Sequence, residues 1–349
     1  MEVYNIKRVL VQYADGSMIL GRDVIDEYGR VLISAGVFLR EEIRVLLAKH
    51  EITSIWIKDD SCANQEIATM QNLVSASTRL KMTYSVQNAF YSQYGVAAHL
   101  PQLSESVQQV VDDLTKRDNV LIYLNDVRFK SDYLFMHSTN VGIFAIVIGI
   151  KLGLEKDDLF CLGMGALLHD YGKTRINKAI LEKKGSLTWD EFNKVKEHSL
   201  NGYTILKSET QFDHRMMLIA LQHHEWHDGR GYPWGISGED IHPFSRIVAV
   251  ADVYDALTTD RVYRQRIPTH EAVRMICQGA GSQFDGDIVQ AFCKATVPYE
   301  IGSSVKLNNG LYGSILRLNS ADTARPILWT AQGTVNMLHS PELHIVASL

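Results

Sequence analysis

Five histidines and two aspartates hold most of the chemistry this sequence can do. They are His137, His169, Asp170, His198, His223, His224 and Asp252. Two strings surround them: HDYGK from His169 to Lys173, and HHEWHDGRGYP from His223 to Pro233. Five imidazoles and two carboxylates are what two divalent cations sharing one bridging carboxylate need. Imidazole and carboxylate without thiolate suit iron, manganese, zinc or nickel rather than magnesium. A pair of metals about 4 Å apart serves in-line attack on a phosphodiester, because it lowers the pKa of water and stabilises both the entering and the leaving oxygen. Two divalent ions against two aspartates leave a positive surplus that attracts such an anion. The set points to a metal-dependent hydrolase. An HD or HH dipeptide alone would be noise. Together with a downstream histidine in a capped helix, the DGRGYP string and ADVYDA, the pattern is far more specific.

The elements that carry these residues must be mostly helical. Successive residues on a helix point about 100° apart, so His169 and Asp170 can serve one centre only from a helix end. There the histidine faces one ion and the carboxylate oxygens face both. Leu159–Leu168 is apolar on most faces and reads as a buried helix delivering His169-Asp170 at its end, with Gly172 as its C-cap. Thr188 to Glu191 is a capping box that starts the helix carrying His198. Met216–Leu221 leads to His223-His224, and Arg246–Leu257 carries Asp252. The expected fold is mainly α: an all-α bundle over residues 131–295, with a small N-terminal α/β domain and a small C-terminal β module. Residues 1–62 carry strand-like segments at Val9–Tyr13, Met18–Val24, Val31–Ile33 and Ile55–Ile57, a Tyr28-Gly29 turn and a helix at Glu41–Lys49. Residues 63–130 read as a helical linker or bundle in which Pro101 ends one helix, and they are suited to homodimerisation. Residues 296–349 show a hairpin signal at Asn309-Gly310, with strands at Val305–Leu307, Gly313–Leu318, Ile327–Thr330 and His344–Val346.

The bulk numbers narrow the class. The chain has 349 residues, 46% hydrophobic and 21% charged, as in ordinary globular proteins. A net charge of −5 and a pI near 6.2 exclude a basic surface for duplex nucleic acid. Cys62, Cys161, Cys277 and Cys293 form no CxxC pair and read as free, buried thiols. The N-terminus lacks a long apolar stretch, and the longest apolar run, Val141–Ile150, is short for a bilayer span. No membrane association is expected, and the expected location is the cytoplasm.

These motifs resemble the HD-GYP family, a branch of the HD phosphohydrolase superfamily. The likeness covers residues 131–295 and includes both defining motifs, His169-Asp170 and Gly231-Tyr232-Pro233. It implies an all-α bundle that hydrolyses cyclic di-GMP to pGpG, and in some members on to GMP, with water activated between two divalent metals, iron or manganese foremost. A few members prefer the mixed GMP–AMP cyclic dinucleotide. By position, one metal takes His137, His169, Asp170 and Asp252, and the other takes Asp170, His198, His223 and His224. The glutamate that adds a third metal in some members is replaced here by Tyr133, which implies a binuclear centre. Lys173 is implied to contact the scissile phosphate or the leaving oxygen. Arg261 and Arg264 stand where family members bind substrate phosphates, although Val262 and Gln265 depart from the usual RPYRK string. Glu225 is expected to support a ligating histidine. Asp228, Gly231, Tyr232 and Pro233 form the loop implicated in docking a diguanylate cyclase domain, with Tyr232 as a candidate contact. His214, His227 and His242 match no ligand position. Two other readings stay open: a receptor or scaffold that binds the dinucleotide or a cyclase without turnover, and different chemistry on the same scaffold, such as a di-iron oxygenase or a nucleotide phosphatase. The complete ligand set argues against the first and the DGRGYP string against the second.

Overall fold

The structure is a computed structural model. It describes residues 6–21, 23–25, 31–50, 52, 54–58, 74–117, 120–122, 133–183, 185–209, 212–259, 266–299, 301–319 and 322–348. The chain divides into two units. One is residues 1–72 with 125–131, and the other is 73–124 with 132–349.

In the first unit the strands β1 (Ile6–Leu10) and β4 (Ser54–Lys58) pair antiparallel, as do β2 (Val24–Ile25) and β3 (Val31–Ile33). Helix α1 (Glu41–Lys49) lies between β3 and β4 in sequence. Leu20, Ile33, Leu39, Leu47, Ile55 and Ile57 form its core. The expected strand at Val9–Tyr13 ends at Leu10, where the chain enters a 3-10 turn over Val11–Tyr13. The expected turn at Tyr28-Gly29 lies outside the described residues.

The second unit is built on helices α2 (Ala76–Tyr91), α3 (Leu100–Thr115), α4 (Tyr133–Lys151), α5 (Lys156–Leu167), α6 (Lys178–Leu181), α7 (Trp189–Ser208), α8 (His214–Gln222), α9 (Pro243–Thr258), α10 (Thr269–Gln278) and α11 (Gly286–Ala295). Their apolar faces meet in one core that runs from Val74 to Ala295. Helix α4 packs against α2, α5, α9 and α11. It therefore has no broad solvent face, and Val141 through Gly149 are all buried. By length and composition Leu134–Lys151 would also cross a bilayer, but 72% of it is buried inside the protein. Pro101 begins α3 rather than ending a helix, since α2 has already stopped at Tyr91. A first turn does not use the N–H that proline lacks.

Beyond α11 the period changes from helical to alternating. Strands β5 (Ser304–Leu307), β6 (Tyr312–Arg317), β7 (Ile327–Thr330), β8 (Gly333–Asn336) and β9 (Ile345–Ser348) form an antiparallel sheet in the order β8-β7-β6-β5-β9. Gly310 turns the β5–β6 hairpin at φ +85°, a conformation that an L side chain resists. Val305, Leu307, Ile315, Leu328 and Met337 form the core of this module. Strand β8 escaped the sequence reading because Gly-Thr-Val-Asn has a single apolar residue.

Candidate metal centre

Five elements of the helical unit converge on one buried point. Helix α4 supplies His137 near its start, and α7 supplies His198 midway. Helix α8 ends on His223 with His224 beyond, while α9 supplies Asp252. His169 and Asp170 follow the end of α5, in the bend before a 3-10 turn at Tyr171–Arg175. The approach of this turn to α7 is what Gly172 permits. A Cβ there would lie 1.9 Å from the His198 carbonyl oxygen and 2.4 Å from the Gly202 nitrogen. Gly172 is therefore a contact glycine and not the expected C-cap; Leu168 caps α5. The capping box that starts α7 is present in full, with Thr188 accepting from the Glu191 N–H and Glu191 accepting from the Thr188 N–H.

Asp170 sits between two sets of imidazoles. Its Oδ2 lies 3.3 Å from His169 Nε2 and 3.8 Å from His137 Nε2. Its Oδ1 lies 3.4 Å from His198 Nε2 and 3.9 Å from His223 Nε2. Asp252 closes the ring, with Oδ1 3.1 Å from His137 Nε2 and Oδ2 4.0 Å from His224 Nδ1. Two groups could each hold an ion: His137, His169 and Asp252 on one side, and Asp170, His198, His223 and His224 on the other, with ligand atoms within 4.8 Å of one another in each. His169 Nε2 and Asp170 Oδ1 are buried without a hydrogen-bond partner. Such orphans are costly unless something else satisfies them, and cations between these atoms would do so. The residues fit a metal pair.

The far side of the ring explains why Nε2 is the atom turned inward on His137, His169, His198 and His223, whereas His224 turns Nδ1 toward Asp252. His169 Nδ1 donates to the Ala166 carbonyl at 2.7 Å, and His198 Nδ1 to the Val195 carbonyl at 2.7 Å. His223 Nδ1 donates to the Ile219 and Ala220 carbonyls, each at 3.0 Å. His137 Nδ1 donates to Asp255 Oδ2 at 2.7 Å. A carbonyl or carboxylate only accepts, so the proton must be on Nδ1 and the lone pair on Nε2. Burial, aided by neighbouring imidazoles, pushes His223 well below the usual histidine range. Burial likewise brings His198 down to about 4 and His224 down to about 3. These rings are neutral, as ligands must be. At His137 burial opposes charge, but the hydrogen bonds to Asp252 and Asp255 prevail and raise it to about 9. For Asp170 burial is also overcome, here by Lys173 and His169, and its carboxyl stays well below the usual range.

Asp255 escaped the sequence reading, together with the residues behind it. It is fully buried. Besides His137 it accepts from Asn140 Nδ2 at 2.7 Å and from Thr259 Oγ1 at 3.2 Å. Asn140 Oδ1 in turn accepts from Arg79 of α2 at 2.8 Å. The signal for Asp255 was its place one helical turn after Asp252. Nothing local marks Arg79, which is 61 residues from its partner.

Around the opening, Lys173 Nζ contacts Asp170 Oδ2 at 2.5 Å and is 24% exposed. Lys196, also unanticipated, holds its ammonium 5.2 Å from the Phe192 ring centre and 5.8 Å from that of Tyr232. Tyr232 stacks on His224 with centres 4.7 Å apart and planes at 29°. This half-buried tyrosine, expected as a partner contact, thus faces the centre, and the neighbouring Trp234 is exposed. Gly231 lies where a Cβ would meet the Trp226 nitrogen and Glu225 Cα at 2.3 and 2.5 Å. The Tyr232-Pro233 peptide is cis. Glu225, expected beside a ligating histidine, instead accepts from the Trp234 and Gly235 N–H groups at 2.8 and 3.2 Å, which ties the loop down. Asp228 binds the Arg230 side chain within the loop. Arg261, Arg264 and Gln265 lie outside the described residues, as does the Tyr133 side chain.

Residues 97–288 match the HD domain family. Among curated relatives, a cyclic di-GMP phosphodiesterase of Pseudomonas aeruginosa is 34% identical over 237 residues, covering 67% of this chain and 56% of that protein. The cyclic di-GMP phosphodiesterase response regulator RpfG of Xanthomonas campestris is 40% identical over 155 residues, 44% of this chain and 41% of its own. The 3'3'-cGAMP-specific phosphodiesterase 3 of Vibrio cholerae is 33% identical over 198 residues, 57% of this chain and 41% of its own. The chain thus spans about half the length of the curated relatives it matches. A solved structure, a HDG"Y"P protein from Bdellovibrio bacteriovorus, matches with a TM-score of 0.50 over 82% of this chain and 98% of that one. At 17% identity this is a likeness of fold.

Proposed function

The chain belongs to the HD domain family, in its HD-GYP branch, and we propose that it is a metal-dependent phosphodiesterase acting on a cyclic dinucleotide. One observation carries the reading: Asp170 turns one oxygen toward His137 and His169 and the other toward His198 and His223. A carboxylate so divided would be shared by two cations, one held by His137, His169 and Asp252 and the other by His198, His223 and His224. When bound there, two divalent cations supply Lewis-acid polarisation of phosphoryl oxygens and a lowered pKa for water. The imidazole and carboxylate donors suit iron, manganese, zinc or nickel rather than magnesium, and the resemblance to the HD-GYP family favours the first two.

The chain's own residues do the rest. The Nδ1 bonds to backbone carbonyls and to Asp255 hold the rings of His137, His169, His198 and His223 so that these ligands need not reorient on binding. Lys173 places an ammonium at the rim, where it takes charge from the scissile phosphate or the leaving 3′ oxygen. Arg261 and Arg264 bind the substrate phosphates. The names of the relatives favour cyclic di-GMP as substrate, with 3'3'-cGAMP as the alternative, and the resemblance to the HD-GYP family implies pGpG as product, with GMP after a second cut. The test is anaerobic purification, metal analysis, and chromatography of products from each dinucleotide. Two metals per chain with a linear product support the reading, and Asp170→Ala should lose both metals together. Full turnover by Asp170→Ala would end it. Two metals with no product from either dinucleotide would favour a binding scaffold.

A further inference from the structure

Among the described residues outside the metal centre, one pair of cysteines lies at contact distance. Cys277 is in the last turn of α10 and Cys293 in the last turns of α11, with their sulfurs 3.0 Å apart. From sequence the cysteines are expected to be free, buried thiols. Cys161 is buried and fits that expectation, whereas Cys277 is exposed and Cys293 partly so. We propose that Cys277 and Cys293 are a redox-active pair, a modification site at which a peroxide forms a disulfide that staples α10 to α11.

The geometry assigns the roles. Cys277 faces solvent and meets the oxidant, while Cys293 sits behind it as the resolving thiol. A hydrogen bond from Cys293 outweighs partial burial and brings the Cys277 thiol down to about 7, so much of it is thiolate near neutrality. The same bond, together with burial, pushes Cys293 up. In the first step the Cys277 thiolate attacks one peroxide oxygen. The O–O bond breaks, water leaves after protonation, and Cys277 becomes a sulfenic acid. In the second, the Cys293 sulfur attacks the sulfenic sulfur, the S–O bond breaks, and a second water leaves. Two thiols and one hydrogen peroxide give one disulfide and two waters. A disulfide needs about 2.05 Å between sulfurs, so the closure required is only about 1 Å.

The staple has somewhere to act. The turn between α10 and α11 presents the Gln283 and Ser282 carbonyls to the His227 and Asp228 N–H groups at 3.1 and 2.9 Å. Asp285 at the start of α11 is paired with Arg246 of α9. A bond between Cys277, where α10 enters the turn, and Cys293, near the far end of α11, closes residues 277–293 into a ring and limits the freedom of this turn to move away from the DGRGYP loop.

The experiment uses the full chain loaded with manganese, treated with hydrogen peroxide and quenched with a maleimide. Peptide mass mapping should show Cys277 and Cys293 linked with the loss of two hydrogens, reversed by dithiothreitol and absent from Cys277→Ser and Cys293→Ser. Cys293→Ser should instead leave Cys277 as a trappable sulfenic acid. Amide hydrogen exchange at His227 and Asp228 should slow on oxidation of the wild type and not of either variant. Over-oxidised Cys277 without the linked peptide, or a link between chains, would overturn the pairing. A correct disulfide with unchanged exchange would overturn its action on the loop. Neither result bears on the phosphodiesterase reading, which is tested by metal content and products.

Discussion

Replacing Asp255 by asparagine tests how the centre is held without removing a ligand. Asp255 accepts from His137 Nδ1 and Asn140 Nδ2, and Asn140 Oδ1 accepts from Arg79. The chain of bonds has a direction because Arg79 has donors only and Asp255 acceptors only. An amide at position 255 breaks that direction wherever it points. Its NH2 group meets either the His137 donor or the Asn140 donor, and turning Asn140 moves the clash to Arg79. The release is for His137 to shift its proton to Nε2, the atom that must bind the cation. The lost bond is buried and charge-assisted, worth about 1.5–3 kcal/mol. Loss of such a supporting carboxylate weakens a metal about 10- to 100-fold, or about 1.4–2.7 kcal/mol. The two magnitudes agree. The assay is metal content after dialysis against chelator-buffered manganese, with a melting curve to show that the fold survives. The expected result is loss of the ion on the His137 side and retention of the one among His198, His223 and His224. Wild-type affinity for both ions in a folded Asp255→Asn protein would refute the reasoning. Arg79→Met should cost less, since Asp255 keeps its bond to His137.

Lys173→Met should keep both metals and lose about 100-fold or more in turnover, read by single-turnover product formation; a drop in metal content instead would assign Lys173 to holding Asp170. Gly172→Ala forces α7 away from the 3-10 turn, so it should cost about 3 kcal/mol in urea unfolding and displace His198 from the centre. The metal-free protein should be most stable near pH 6.5. His198 and His224, depressed to about 4 and about 3, contribute stability above their unfolded value and lose it as pH falls below 6.5, because the unfolded chain then binds more protons. His137, raised to about 9, contributes fully below 6.5 and loses its share as pH climbs through 9. Melting temperatures against pH in chelator should therefore decline on both sides, and a monotonic profile would contradict this assignment.

The centre is legible in the sequence because two adjacent pairs of ligands, His169-Asp170 and His223-His224, stand at helix ends, where neighbouring residues can face one point. Helix ends were legible where chemistry marks them, as with Thr188 and Glu191. Pro101 was misread because proline marks a helix boundary without saying on which side the helix lies. Gly172 was misread because close helix approach and C-capping select the same residue, and only the distance to His198 separates them. The position of Glu225 in the string points to a histidine partner, yet it bonds to Trp234 and Gly235, nine and ten residues on. Arg79 was illegible, since only the packing of α2 on α4 brings it to Asn140. The cysteine pair was illegible for the same reason: a spacing of sixteen residues carries no signal until α10 and α11 lie side by side.

The bond from Arg79 to Asn140 also bears on where this catalytic body begins. The family match starts at residue 97, and the motifs themselves start later still. Arg79 lies upstream of both. A fragment cut at the family boundary would keep every ligand and lose the last donor of the series that fixes His137. It would also strip α2 from the face of α4, exposing the side where Thr83 meets Thr139 and Phe90 meets Phe135. The inheritable unit is therefore larger than its recognisable signature, and any transplant or truncation of this centre has to carry α2 with it.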